Sequence, residues 1–288
     1  MIGQRTTLTC FLAAAVLAGG NGVGIRFSNR ELPPLWGAGL RFAAAALLLL
    51  IVVVALRLPL PRGRAWGGPV AYGLLNFAAG YALGYYALLY MRAGFGQILL
   101  ALVPLATLLL AVLERQEKLS LAAIAGTLLA LGGVVVMAWV PQPEPIPLLA
   151  ILAAVASTLC IGQTAVLMHR IPDAHPVTTN AIGMAIGAAV LVAGSFLAGE
   201  AHPMPRLDET WVALGYVVVF GSIGVFMLYL VVLRDWPASK ASYIFVLIPF
   251  VTLALSVWLD DERVGPGVAV GGLLVLAGVY FGALRRAP

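Results

Sequence analysis

Charge is what this 288-residue sequence has least of. Asp, Glu, Lys and Arg make up 10% of it, against 62% hydrophobic residues. Soluble domains carry about 25% charged and about 45–50% apolar residues. So few charges cannot cover so much apolar surface in water. A soluble fold is excluded, and the chain reads as an all-α integral membrane protein. Cysteine is nearly absent: Cys10 and Cys160 sit singly in apolar runs, as small packing residues do, with no spacing for a disulfide framework or a metal pair. Charge is also missing at depth. All twelve acids, and His169, His175 and His202, fall between the apolar runs or at their ends. An embedded enzyme needs a His/Asp cluster or a Ser with a base at depth. None is present, so the sequence predicts no enzyme, no cofactor and no metal. The excess of 17 Lys+Arg over 12 Asp+Glu fits basic membrane loops, and no nucleic-acid partner is expected.

Long apolar runs are what the sequence does have. A helix needs roughly 20 apolar residues to cross the hydrocarbon layer. Ten stretches qualify: about 8–25, 34–56, 66–91, 94–113, 120–140, 146–168, 175–198, 210–233, 238–259 and 265–284. The first lacks an A-x-A-like cleavage site and reads as a retained span, not a signal peptide. Proline-rich breaks at 56–64 and 199–209 separate neighbouring spans, and PQPEPIP (141–147) lies midway as a linker. With ten spans, eleven of the 17 Lys+Arg fall on the side that holds both termini, five fall on the other, and Arg41 lies inside a span. The positive-inside rule puts both termini in the cytoplasm of an inner-membrane protein.

The sequence repeats itself. PLATLLLAVLERQEKL (104–119) and PFVTLALSVWLDDERV (249–264) align without a gap at an offset of 145. Pro104 meets Pro249, Thr107 meets Thr252, Glu117 meets Glu262, and Gly126 and Gly133 meet Gly271 and Gly278. The expected units are 1–140 and 148–288, five spans each. An odd span count forces them into opposite orientations, the inverted-repeat plan of many secondary transporters. Pro104 and Pro249, at mid-span, are candidate hinges.

This organisation resembles the drug/metabolite transporter superfamily, in particular its ten-helix EamA-type exporters. The residues that carry the resemblance are PPLWGAGLRFAAAALLL (33–49) and the two Pro…Thr…Glu segments. Length and loops are similar to the amino-acid exporter branch. The resemblance implies ten helices, alternating access, and export of amino acids or other small metabolites. One departure stands out. In the frame that aligns Pro34 with Pro176, an offset of 142, Gly183 occupies the place of Arg41.

The solute is constrained by what the spans omit. A mid-membrane carboxylate is the usual proton carrier and partner of cationic drugs, and its absence disfavours cation antiport. No deep Lys/Arg cluster is present to hold a phosphate. A neutral or zwitterionic solute remains, held in a midplane pocket. The candidate lining is Asn21, Asn76, Tyr81, Tyr85, Gln97, Ser157, Gln163, Thr164, Ser242 and Tyr243, because polar groups in lipid turn to the interior. Interhelical bonding, worth about 0.6 kcal/mol each, is the competing use of the same side chains. Arg41 stands open between an intramembrane functional charge and a residue that snorkels or binds helix-end carbonyls. Pairs such as Gly80/Gly84, Gly183/Gly187 and Gly267/Gly271 promise close helix contacts. The partners expected are a small molecule and the lipid bilayer, with nothing marking a dimer surface. A flippase for a lipid-linked solute is the alternative, and it requires a lateral opening between helices.

Overall fold

The computed structural model describes residues 4–115, 121–139, 145–168, 175–235, 244–261 and 264–281, and among these the regular backbone is helical throughout. Helices α1 (Gln4–Ser28) and α2 (Pro34–Ala55) come first. Residues 63–90 then run helically through a 3₁₀ turn (Gly63–Trp66), α3 (Gly67–Tyr72), a π-helical segment (Gly73–Gly80) and α4 (Tyr81–Tyr90). Next are α5 (Ala93–Leu100), α6 (Val103–Leu113), α7 (Leu121–Trp139), α8 (Leu148–Met168) and α9 (Pro176–Leu197). A second π-helical segment (Val219–Gly224) separates α10 (Asp208–Val218) from α11 (Val225–Asp235), and α12 (Ile244–Leu259) and α13 (Pro266–Val279) follow. Among the described residues, six helical runs are long and apolar enough to cross a membrane: Arg5–Ser28, Pro34–Ala55, Ala93–Leu113, Leu148–Met168, Pro176–Leu197 and Asp208–Tyr229. Ile124–Gly133, Ile244–Leu259 and Pro266–Gly278 are shorter apolar helices. Side chains such as Leu121 (85% exposed), Leu197 (89%) and Trp258 (77%) point outward, where only lipid makes them stable.

The prolines act as start signals more than as kinks. Pro34, Pro176 and Pro266 each stand in the first turn of their helix, where the missing N–H costs nothing. The two candidate hinges differ. At Pro104 the span is interrupted: Leu102 N–H bonds the Leu99 carbonyl at 3.1 Å in a tight turn, and Pro104 opens α6. Pro249 lies inside an unbroken α12.

The first helix of each sequence half packs into the other half. Helix α1 lies against α10, α11 and α12, and α8 against α4, α6 and the first π segment. Bonds to the α1 backbone follow that packing. Tyr216 Oη donates to the Leu17 carbonyl (2.8 Å) and Thr252 Oγ1 to the Gly19 carbonyl (2.7 Å). The sequence GGNGVG (19–24) permits it. A Cβ at Gly19 would strike Val251, one at Gly20 would strike Tyr216, and one at Gly24 would lie 2.6 Å from Val217 Cγ1. In the other half, Ser157 Oγ donates to the Gly80 carbonyl at 2.7 Å, and a Cβ at Gly162 would come 3.0 Å from Thr107 N.

Two helix pairs join equivalent positions of the two halves. On α7 and α13, a Cβ at Gly133 would lie 2.5 Å from the Gly271 carbonyl oxygen, and one at Gly278 would lie 2.5 Å from the Gly126 carbonyl oxygen. Position 126 therefore faces 278 while 133 faces 271, so the helices run antiparallel. The 145-residue offset exchanges one contact for the other. Helices α2 and α9 repeat the arrangement at the 142 offset. The start of α2 is bound to the segment that follows α9: Glu200 accepts from Leu35 N (3.2 Å) and Trp36 N (2.9 Å). An open cleft outside this pair is lined by Ala43, Ala46, Leu47 and Leu50 and by their equivalents Ala185, Ala188, Ala189 and Val192. Gly183 and Gly187 admit the Tyr72 and Phe77 rings against α9.

Candidate functional site

A network of ion pairs gathers at one end of the bundle. Asp260, at the end of α12, meets Arg30 (2.9 Å), Arg26 (3.4 Å) and Arg92 (3.4 Å), and Arg30 also reaches Glu209 (3.2 Å). Arg92 donates as well to the Asp260 carbonyl, and Arg26 to the Met91 carbonyl at 2.9 Å. One carboxylate, its side chain 6% exposed, thus ties together the end of α1, the start of α5 and the end of α12, with α10 held through Glu209. Beside it, Glu31 accepts from the Arg206 and Leu207 amides at 3.0–3.2 Å. The Thr210 hydroxyl first, then these amides, hold its carboxyl below the usual carboxylate range. Toward the opposite end, Gln163 Nε2 donates to Glu114 at 2.6 Å.

Between the two ends lies a fully buried charge. Arg41 stands seven residues into α2, roughly 10 Å down the helix at ~1.5 Å per residue, and is 0% exposed. Its Nε donates to Ser222 Oγ (2.8 Å), and one terminal nitrogen donates to Asn21 Oδ1 and the Gly221 carbonyl, each at 3.1 Å. The guanidinium lies 4.9 Å from the Tyr81 ring centre and 5.0 Å from that of Phe42, within cation–π range. The other terminal nitrogen has no hydrogen-bond partner. No carboxylate among the described residues pairs with it. Arg41 therefore does not snorkel; it binds a carbonyl in the second π segment, where the wider turn re-aims backbone groups. Asn21 Nδ2 donates to the same Gly221 carbonyl at 3.2 Å.

The sequence-predicted residues divide around this point. Asn21, Tyr81 and Tyr85 converge on Arg41: Tyr85 is fully buried and its hydroxyl has no hydrogen-bond partner. Gln97 lies one step away, its side chain against Gly22, with Oε1 unpartnered. Asn76 is buried in the first π segment with Nδ2 unpartnered. Ser157 is used in packing α8 on Gly80. Thr164 Oγ1 donates to the Cys160 carbonyl of its own helix at 2.8 Å. Gln163 serves the Glu114 contact. Ser242 and Tyr243 lie outside the described residues, as do Glu117 and Glu262. Ser222 and Gly221 were not predicted. Their signal was a lone arginine in an apolar run together with FGSIG (220–224), which stands 145 residues on from Asn76 and Phe77.

Comparison with known proteins agrees with this architecture. A family model for the EamA-like transporter family matches twice, over residues 5–139 and 148–283. The chain belongs to the EamA-like transporter family. The two matches together span nearly all of it, so the EamA-like unit is duplicated, and the chain is a multi-pass membrane transport protein of the drug/metabolite transporter superfamily. An uncharacterized transporter of Archaeoglobus fulgidus is 24% identical over 102 residues, a stretch that spans 35% of this chain and 35% of that protein. A solved crystal structure is similar in fold, with a TM-score of 0.70 and 18% identity, covering 98% of both chains.

Proposed function

We propose that this EamA-like chain is a ten-helix carrier that exports small neutral or zwitterionic metabolites, amino acids foremost, across the inner membrane by alternating access. Its two five-helix units, 1–140 and 148–288, stand in opposite orientation. The observation that carries the reading is the antiparallel contact between equivalent helices, α7 with α13 and α2 with α9. A two-fold relation of that hand inverts one unit relative to the other, which gives the pathway two pseudo-equivalent ends. The ion-pair end is the periplasmic one, because the basic excess lies on the other side. In this conformer the Asp260 cluster closes the outer end and the Gln163–Glu114 contact is its inner counterpart. The solute occupies the interior between them, against Tyr81, Tyr85, Asn76 and Asn21. Pro104 and Pro249 accommodate the rocking of their spans. A flippase is the weaker reading, since the cleft beside α2 and α9 offers only apolar side chains and no group to hold a polar head.

The test is flux of radiolabelled amino acids in proteoliposomes of the full chain, with and without a pH gradient. Saturable transport is expected, reduced by Asn76→Ala and by Gln163→Ala with unchanged insertion. Absence of amino-acid flux from wild-type liposomes removes the substrate class. Impermeant labelling that places Glu117 and Glu262 in one compartment removes the inverted arrangement.

A further inference from the structure

We propose that the Arg41 guanidinium is the anchor for a carboxylate on the transported solute, an assignment that rests on the carrier reading above. A net positive charge is buried here among neutral acceptors only: Ser222 Oγ, Asn21 Oδ1, the Gly221 carbonyl and two aromatic rings. Such a charge is expensive at depth, and a well-packed apolar side chain is usually the cheaper occupant. The fold itself shows that alternative. At the equivalent position on α9 stands Gly183, and a Cβ there would lie 3.0 Å from Tyr72 and 3.2 Å from Phe77. One half of the duplication fills this position with aromatic packing, so the architecture does not require an arginine. The other half keeps a charge and leaves it without a counterion among the described residues.

What that charge still offers is specific. Of its five N–H groups, those on Nε and one terminal nitrogen are engaged, and the remaining nitrogen is unpartnered, as is the nearby Tyr85 hydroxyl. The Tyr81 ring centre lies 4.9 Å from the guanidinium and 6.5 Å from the Tyr85 ring centre, so the two unpartnered groups share one neighbourhood. A planar guanidinium edge with an adjacent O–H suits the two oxygens of a carboxylate. The half-buried Tyr81 ring lies 4.9 Å from the guanidinium, while the other groups that touch it, Phe42, Asn21, Gly221 and Ser222, are buried. Tyr81 is the group a ligand displaces on entry. Because Arg41 already joins α2 to α1 and to the second π segment, a bound carboxylate acts on elements of both halves at once. The locus takes a monocarboxylate, and in a zwitterion it takes the carboxylate end.

The experiment pairs shape-matched ligands. Thermal unfolding of the purified full chain is followed with 3-phenylpropionate against 3-phenylpropanamide, and with phenylalanine against phenylalaninamide. The wild type should be protected by the acid of each pair at concentrations roughly ten- to a hundredfold below the amide. Arg41→Gln, which keeps donors for Asn21 and Gly221, should erase the difference, and Tyr85→Phe should narrow it. Equal protection by acid and amide in the wild type overturns the anchor, and that arm needs no variant. So does an acid preference that survives in Arg41→Gln. Flux separates the two claims. Acid-selective protection lost in Arg41→Gln, without amino-acid flux in wild-type liposomes, keeps the anchor and discards the amino-acid substrate. Amino-acid flux with the same KM in wild type and Arg41→Gln does the reverse.

Discussion

Replacing Asp260 by Asn should loosen the periplasmic end and expose the interior beneath it. Asp260 is nearly buried and faces three arginines. Its contact with Arg30, at 2.9 Å, is a charge-assisted hydrogen bond, and because the Arg30 side chain is 44% exposed screening holds it to the lower part of the usual range, about 1.5–2 kcal/mol. The contacts with Arg26 and Arg92, both at 3.4 Å, involve side chains that are 24% and 44% exposed, so solvent screening holds each to about 0.2–1 kcal/mol. The expected loss is about 2–4 kcal/mol, which multiplies the open population by roughly 30- to 1,000-fold. The assay is modification by a membrane-impermeant thiol reagent. Leu88→Cys, in a Cys10→Ser, Cys160→Ser background, places a thiol directly under the cluster, where Arg26 caps the Leu88 and Met91 carbonyls. Labelling from the periplasmic side should accelerate in Asp260→Asn, and a double-mutant cycle with Arg30→Gln should return a coupling of about 0.5–3 kcal/mol. An unchanged labelling rate together with unchanged thermal stability would refute the reasoning.

Glu200→Gln weakens the bonds to Leu35 N and Trp36 N and to Ser195 Oγ, the last at 2.7 Å, and should lower stability by about 1.5–3 kcal/mol, read by thermal unfolding. Glu31 has a lowered folded pKa, so its contribution is fully present above its ordinary value of 4.5 and is lost as pH falls through the folded value. Glu31→Gln should flatten the acid limb of the stability profile, and an unaltered limb would remove Glu31 from it. Gly133→Ala and Gly278→Ala push a methyl onto equivalent backbone atoms. They should destabilise alike, by about 1–3 kcal/mol each, while Gly132→Ala, which meets open space, should not. Unequal losses at 133 and 278 would deny the two-fold relation of α7 and α13.

The duplication was visible in the sequence because Pro, Thr and Gly recur in fixed frames, and these residues mark backbone positions. Helix limits were visible for the same reason: Pro34, Pro176 and Pro266 open α2, α9 and α13. The exchange of α1 and α8 between halves was not legible. Apolar helices carry no partner code, and only the glycine-rich face of 19–24 hinted at an unusually close neighbour. The π segments were hidden as well, since an extra residue in one turn leaves composition and hydropathy unchanged. Asn21, Tyr81 and Tyr85 were chosen from polarity and helical spacing, and Asn21 and Tyr81 lie against Arg41 in the structure. Arg41 was noticed, but its role turned on whether the guanidinium reached the surface, which depends on the neighbours that α10 and α11 bring. Gln163 was read as pocket lining, and the structure adds its bond to Glu114, a contact that no pattern in either helix announces.

The placement of α1 also sets a timetable for synthesis. Asn21 finds its carbonyl 200 residues further along the chain. At ~5–20 residues per second on the ribosome, that interval is roughly 10–40 s. Through it Gly19, Gly20 and Gly24 lack their native neighbours Val251, Tyr216 and Val217, and that part of the face must be sheltered by lipid, the insertion machinery or a membrane chaperone. A fragment severed in the 141–147 linker would strand that face permanently, making it a natural signal for membrane proteases.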